Sequence, residues 1–142
     1  MTNQEDKIQR VRSARLKIYK MKDFLRLTES GEIDVNRSKE IVRQLAIGAA
    51  FHVDHNILLD LRGTAIKEES MGSALEVALE IAQYKSAFKG KLANLLPGDE
   101  KRLSMARQLK ALMYIEGFQY EIFTSFEGAV EWLSDITVLP QP

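Results

Sequence analysis

Ser70, Ser73, Ser104 and Ser125 could serve as nucleophiles, and His52 and His55 are the two histidines that could act as their base. Neither half of that pair sits in a recognisable frame. No G-x-S-x-G elbow occurs. Both histidines fall in a predicted helix-to-strand link, at the opposite end of the following strand from Ser70, so a triad fails on geometry before any pKa matters. The run His52-Val53-Asp54-His55 offers two imidazoles and a carboxylate to a metal. It lacks a fourth ligand, and the plainer reading is a solvated link. Glu68 and Glu69 are adjacent acids, but adjacent helical side chains point apart, and acids in a first helical turn commonly meet the helix dipole. No GxGxxG or GxxxxGK[ST] loop is present, and Gly63-Thr64 is too poor in glycine to cradle phosphates. Tyr84, Phe88 and Trp132 fit core packing at helical spacing better than a ligand box. These residues call for no cofactor or metal, and the chain reads as a non-enzyme.

Composition narrows the classes further. A length of 142 residues predicts one domain, with residues 1–14 as a polar tail or short helix and 15–142 as the folded unit. Lys+Arg and Asp+Glu are 20 each, so the formal net charge is zero. Such a chain lacks the basic surplus that nucleic-acid binding demands. Zero cysteines exclude a disulfide scaffold, Cys-ligated zinc and thiol catalysis. No apolar run reaches the ~20 residues of a membrane span, and the first residues lack the apolar stretch of a secretory signal. The expectation is a cytoplasmic protein.

The elements that must position any site follow from periodicity. Leu16, Ile18 and Met21 alternate with lysines, and Phe24, Leu25 and Leu27 continue towards Gly31, which predicts two strands in a hairpin bending near Lys22-Asp23, with Gly31 as a turn. Asp34 is placed to cap a helix with the stripe Ile41, Val42, Leu45, Ala46 and Ala49. Ile57 to Leu61 and Leu92 to Leu96 are short apolar runs suited to strands buried on both faces, running side by side and parallel. A helix from about Glu68 to Gly90 separates them, with Gly90 in a C-terminal glycine role. Asp99 caps a third helix, with the stripe Met105, Leu109, Leu112 and Met113, closed by Gly117. The aromatic alternation Phe118 to Phe123 is an outer strand, and Ser125 caps a last helix carrying Ala129, Val130, Trp132 and Leu133. The predicted fold is α/β: a mixed, largely parallel sheet of about five strands with about four helices, in the order β-β-α-β-α-β-α-β-α. Ligands of such sheets collect beyond the carboxyl ends of the strands, which points to Arg62–Ser70, Pro97–Arg102 and Thr124–Glu127.

This order, with Ile57-Leu58-Leu59-Asp60-Leu61-Arg62-Gly63-Thr64 followed by Glu68-Glu69-Ser70, resembles the STAS fold of bacterial anti-sigma-factor antagonists of the sporulation type. Gly117 to Phe123 and Phe126 to Leu133 look like the closing strand and helix of a STAS-like bacterial branch, and the resemblance covers about residues 15–135. It implies a regulatory, non-enzymatic module that binds a protein partner of the anti-sigma-factor or kinase type. In phosphorylatable antagonists the helix after the central strand opens with Asp-Ser-Ser-Gly. Laid on this chain, Ser70 matches the phosphate acceptor and Glu68 keeps the acid, while Glu69 and Met71 depart from the pattern. Ser70 is also a simple N-cap candidate. The implied interaction surface is Arg62, Gly63, Thr64, Glu68, Glu69, Met71 and Ser73, and a free sheet edge invites homodimerisation. A second expectation is a carrier of a small apolar or lipid-like ligand, because the topology is similar to part of CRAL-TRIO domains. Its mark is a cavity between the sheet and the helices bearing Tyr84 and Trp132.

Overall fold

The computed structural model describes residues 17–20, 23–52, 54–67 and 73–138. Its strands are β1 (Lys17–Lys20), β2 (Phe24–Ile33), β3 (Asn56–Ile66), β4 (Lys91–Leu95), β5 (Gln119–Phe123) and β6 (Asp135–Val138). Its helices are α1 (Val35–Phe51), α2 (Ser73–Ala82), α3 (Glu100–Ile115) and α4 (Phe126–Leu133). Strands β2, β3, β4 and β5 form one parallel sheet in that spatial order. Spatial order equals chain order, so each crossover steps one place in the same direction. Crossovers of one hand then lay their helices on one face.

That face carries α1, α2 and α3 over a core of Ile41, Leu45, Ile57, Leu59, Ile81, Leu92, Ala106 and Met113. The other face carries α4, packed on Leu58, Ala93 and Leu95 through Ala129 and Leu133. Residues Ile57–Leu61 and Leu92–Leu96 are buried, and Ile57 to Asp60 lie parallel to Leu92 to Leu95. The unbroken apolar runs in the sequence thus follow from burial on both sides.

Local chemistry sets the helix ends. Asp34 accepts the Arg37 N–H at 2.8 Å, Asp99 accepts Lys101 N–H at 2.9 Å, and Ser125 accepts Gly128 N–H at 3.1 Å. Each satisfies a donor that the first turn leaves free. At the end of α3, Gly117 takes φ +85°. Its N–H reaches Tyr114 O, and Phe118 N–H reaches Met113 O. This paired closure needs a left-handed residue.

Four expectations require correction. The hairpin of the first two strands does not form: β1 pairs antiparallel with β6, a strand the sequence did not announce, and β2 lies parallel to β3. The first strand offers a half-exposed Ile18 between lysines, too little apolar surface to hold a place in the main sheet. Gly31 is no turn; it sits inside β2 at φ +90°, and the strand runs on to Ile33. The central strand does not stop at Arg62-Gly63 but continues to Ile66 across a register shift opposite Thr28–Ser30. Gly90 does not cap α2, which ends at Ala82. It lets the backbone pass Asn56, where a Cβ would stand 2.7 Å from Asn56 Oδ1.

Candidate functional site

The register shift in β3 organises two polar clusters. Between Thr28 and Ser30 of β2, one residue faces two of β3, Leu61 and Arg62. Such a bulge changes the phase of alternation. Leu59 and Leu61 face the three-helix side, Arg62 and Gly63 are exposed, and Thr64 turns back into the interior.

On the α4 side, the Asp60 carboxylate is buried, its side chain 5% exposed. Arg62 holds it with two bonds, Nε to Oδ1 at 3.0 Å and Nη2 to Oδ2 at 2.9 Å, and the Arg62 N–H adds a third at 3.2 Å. Arg26 reaches Oδ2 from β2 at 3.3 Å while its guanidinium lies 5.1 Å from the Phe126 ring centre. The Arg62 bonds hold the Asp60 carboxyl below its usual value against the opposing effect of burial, and Asp60 raises Arg62 in return. A depressed folded-state pKa stabilises the protein above the unfolded carboxyl value of about 4. That contribution is lost as pH falls through the lower folded value. Asp60→Asn is therefore expected to melt a few degrees below wild type at pH 7, with the gap closing as the pH falls below about 4. Melting curves across this range check it; a gap independent of pH would show that the carboxylate charge contributes nothing.

On the three-helix side the sheet and helices border a partly open cavity of about 140 Å³, with walls that include Val42, Leu45, Leu59, Ile81, Met105 and Met113. Polar side chains line it as well, among them Asp34, Asn94, Arg102 and Tyr120. Arg102, in the first turn of α3, is 7% exposed. Its Nη2 donates to Thr64 Oγ1 at 2.7 Å and its Nη1 to Thr64 O at 3.3 Å. Burial pushes the guanidinium below its ordinary pKa, against a more distant attraction from Asp99. No carboxylate among the described residues forms an ion pair with it. Asn94 Nδ2 donates to the Tyr120 hydroxyl at 2.7 Å, while Asn94 Oδ1 is buried with no partner. Burial pushes the Tyr120 hydroxyl up to about 12, so it stays protonated at neutral pH.

The sequence-predicted residues divide. Arg62 and Gly63 are exposed and belong to a strand. Thr64 and Ser73 are buried, Thr64 against Arg102, so neither belongs to an exposed interaction surface. Glu68, Glu69, Ser70 and Met71, with the predicted helix start at Glu68, lie outside the described residues, and α2 is described from Ser73. His52 and His55 stack edge to face at 4.9 Å beside the amino end of β3, away from Ser73. Among the described residues no group of three His, Asp or Glu side chains could hold a metal. Tyr84 and Phe88 pack with the three-helix core, whereas Trp132 stands on the opposite face, 5.7 Å from Phe123. They form no common box, and the cavity lies on the Tyr84 side only. Arg102 closes the predicted segment Pro97–Arg102 but was given no role there, and Asn94 was missed. The signals were a charge on the stripe that leads to Ala106 and Met113, and an amide in the middle of an apolar strand.

No helix among the described residues is long and apolar enough to cross a membrane. No family model matches the chain, and no curated protein matches it. A solved structure does: an uncharacterised protein of the DUF3478 family from Shewanella loihica PV-4, described as having a SpoIIAA-like fold. The two share 12% identity at a TM-score of 0.51, over 85% of this chain and 96% of that one. The chain thus has a SpoIIAA-like, that is STAS-like, fold.

Proposed function

We propose that this protein is a non-enzymatic binding module whose working site is the cavity beneath α1, α2 and α3, occupied by a small apolar or amphipathic ligand. The observation that carries this reading is the joint presence of apolar walls and convergent polar groups, one of them an unpartnered amide oxygen. Ligand sites are typically apolar hollows with a few placed polar atoms. At about 140 Å³ the space is close to the ~150 Å³ of a protein cavity that takes up benzene. Native mass spectrometry of the purified protein is expected to show a bound small molecule that leaves on denaturation. A protein that emerges empty, and whose melting temperature no small apolar compound raises, would end this reading.

The fold also supports a regulatory reading, in which the exposed Arg62 and Gly63 lead into the segment carrying Ser70 and meet a partner of the anti-sigma-factor or kinase type in the cytoplasm. A phosphate on Ser70 would add nearly two negative charges beside that surface. Ser70→Asp is then expected to lose a partner that wild type and Ser70→Ala both retain in pull-downs, with unchanged circular dichroism. Equal recovery by all three would remove the switch.

A further inference from the structure

The polar end of the cavity specifies a chemistry. Arg102 has five N–H donors, and Thr64 engages two of them. The Tyr120 oxygen accepts from Asn94, which leaves its own proton to donate. Asn94 Oδ1 is an acceptor without a donor. The site therefore offers two kinds of donor and one acceptor at the wall formed by β4, β5 and the start of α3. A buried guanidinium without a carboxylate is a costly arrangement that an anion would relieve, and planar guanidinium suits a planar carboxylate.

We infer that the cavity takes a small hydroxycarboxylic acid, its carboxylate held by Arg102 and the Tyr120 hydroxyl, its hydroxyl donating to Asn94 Oδ1, and its apolar body lying among Val42, Leu45, Ile81 and Met113. This rests on the carrier reading above. A hydroxyl fits the amide oxygen better than an ammonium, because the carboxylate among the described cavity residues, Asp34, sits at the start of α1 and is engaged by the Arg37 N–H. The volume holds a body of about six carbons.

The test uses the whole wild-type protein and three probes of equal chain length: 1-octanol, octanoate and 2-hydroxyoctanoate, compared by titration calorimetry. Octanoate is expected to bind about tenfold more tightly than octanol, and 2-hydroxyoctanoate about fivefold more tightly than octanoate, as a charge-assisted and a neutral hydrogen bond respectively would give. Arg102→Met should erase the first preference and Asn94→Leu the second. Should either variant fold poorly, the Arg102 Nε–H resonance of the wild-type protein must still shift when octanoate is added and stay put with octanol. Equal affinity for all three probes overturns the head-group assignment and leaves the carrier reading standing. Failure of all three to bind overturns both. Octanoate and 2-hydroxyoctanoate of equal affinity would mean that water serves Asn94, which overturns the hydroxyl part.

Discussion

Leu58→Ala is expected to lower the free energy of unfolding by about 3 kcal/mol and the melting temperature by about 10 °C. Leu58 is fully buried on the face that α4 covers. Its companions Ala93 and Ala129 are also fully buried and already small, so they cannot swell into the space a truncated side chain leaves. The residual void then adds to the lost transfer energy. The helix above cannot settle freely either. Asn56 Nδ2 holds Leu133 O at 3.3 Å, and Lys91 Nζ holds Trp132 O at 2.9 Å, which pins the end of α4 at its present height over the sheet. Urea unfolding followed by circular dichroism measures the loss. Leu79→Ala, on an exposed position of α2, serves as the control, with a change within about 0.5 kcal/mol. A Leu58→Ala loss below about 1 kcal/mol would show that the α4 face is loosely packed.

Arg102→Met is expected to go the other way and raise the unfolding free energy by about 1 kcal/mol in the absence of ligand. The guanidinium is deeply buried, and its partners are the neutral hydroxyl and carbonyl of Thr64. Burial is the largest influence on it. Taking an ion out of water costs several kcal/mol, and two bonds to neutral oxygens, one of them long, return only part of that. Methionine keeps most of the volume and adapts to irregular space. Thr64 Oγ1 retains its bond to Leu61 O at 2.6 Å, so the hydroxyl is not stranded. A variant more stable than wild type yet unable to prefer acids would mark Arg102 as a residue kept for binding. A variant less stable by more than about 1 kcal/mol would instead make Arg102 a clamp between α3 and β3.

The scaffold was legible in the sequence wherever one local signal sufficed. Asp34, Asp99 and Ser125 are caps by residue type and position, and Gly117 is a left-handed closure just past an apolar stripe. Ile57–Leu61 and Leu92–Leu96 announced a doubly covered sheet because apolar residues occupy consecutive positions there. Pairing partners were less legible. Alternation in residues 16–21 is compatible with any edge, and nothing local says that Lys17 meets Val138 and not β2. Gly31 and Gly63 suggested chain reversals, but glycine serves a bulged strand equally well. The candidate site depended on contacts between distant segments: Arg102 with Thr64, and Asn94 with Tyr120. Beforehand, Arg102 and Thr64 stood in two separate candidate segments, and Asn94 showed only as a polar residue in an apolar strand. That contradiction between pattern and residue type is what sequence shows of a binding site before its partners are known.

The single added residue in β3 has a reach beyond its own turn of phase. It leaves Asp60 on one side of the sheet, gripped by two arginines in contact with water, and delivers Thr64 to the other side, into the grip of a third arginine in the dark. Five residues of one strand, Asp60 to Thr64, therefore join an outward charge cluster to Arg102 in the lining of the inner hollow. Whatever fills the hollow and pulls on Arg102 pulls, through Thr64, on the same short length of backbone from which Arg62 meets the outside.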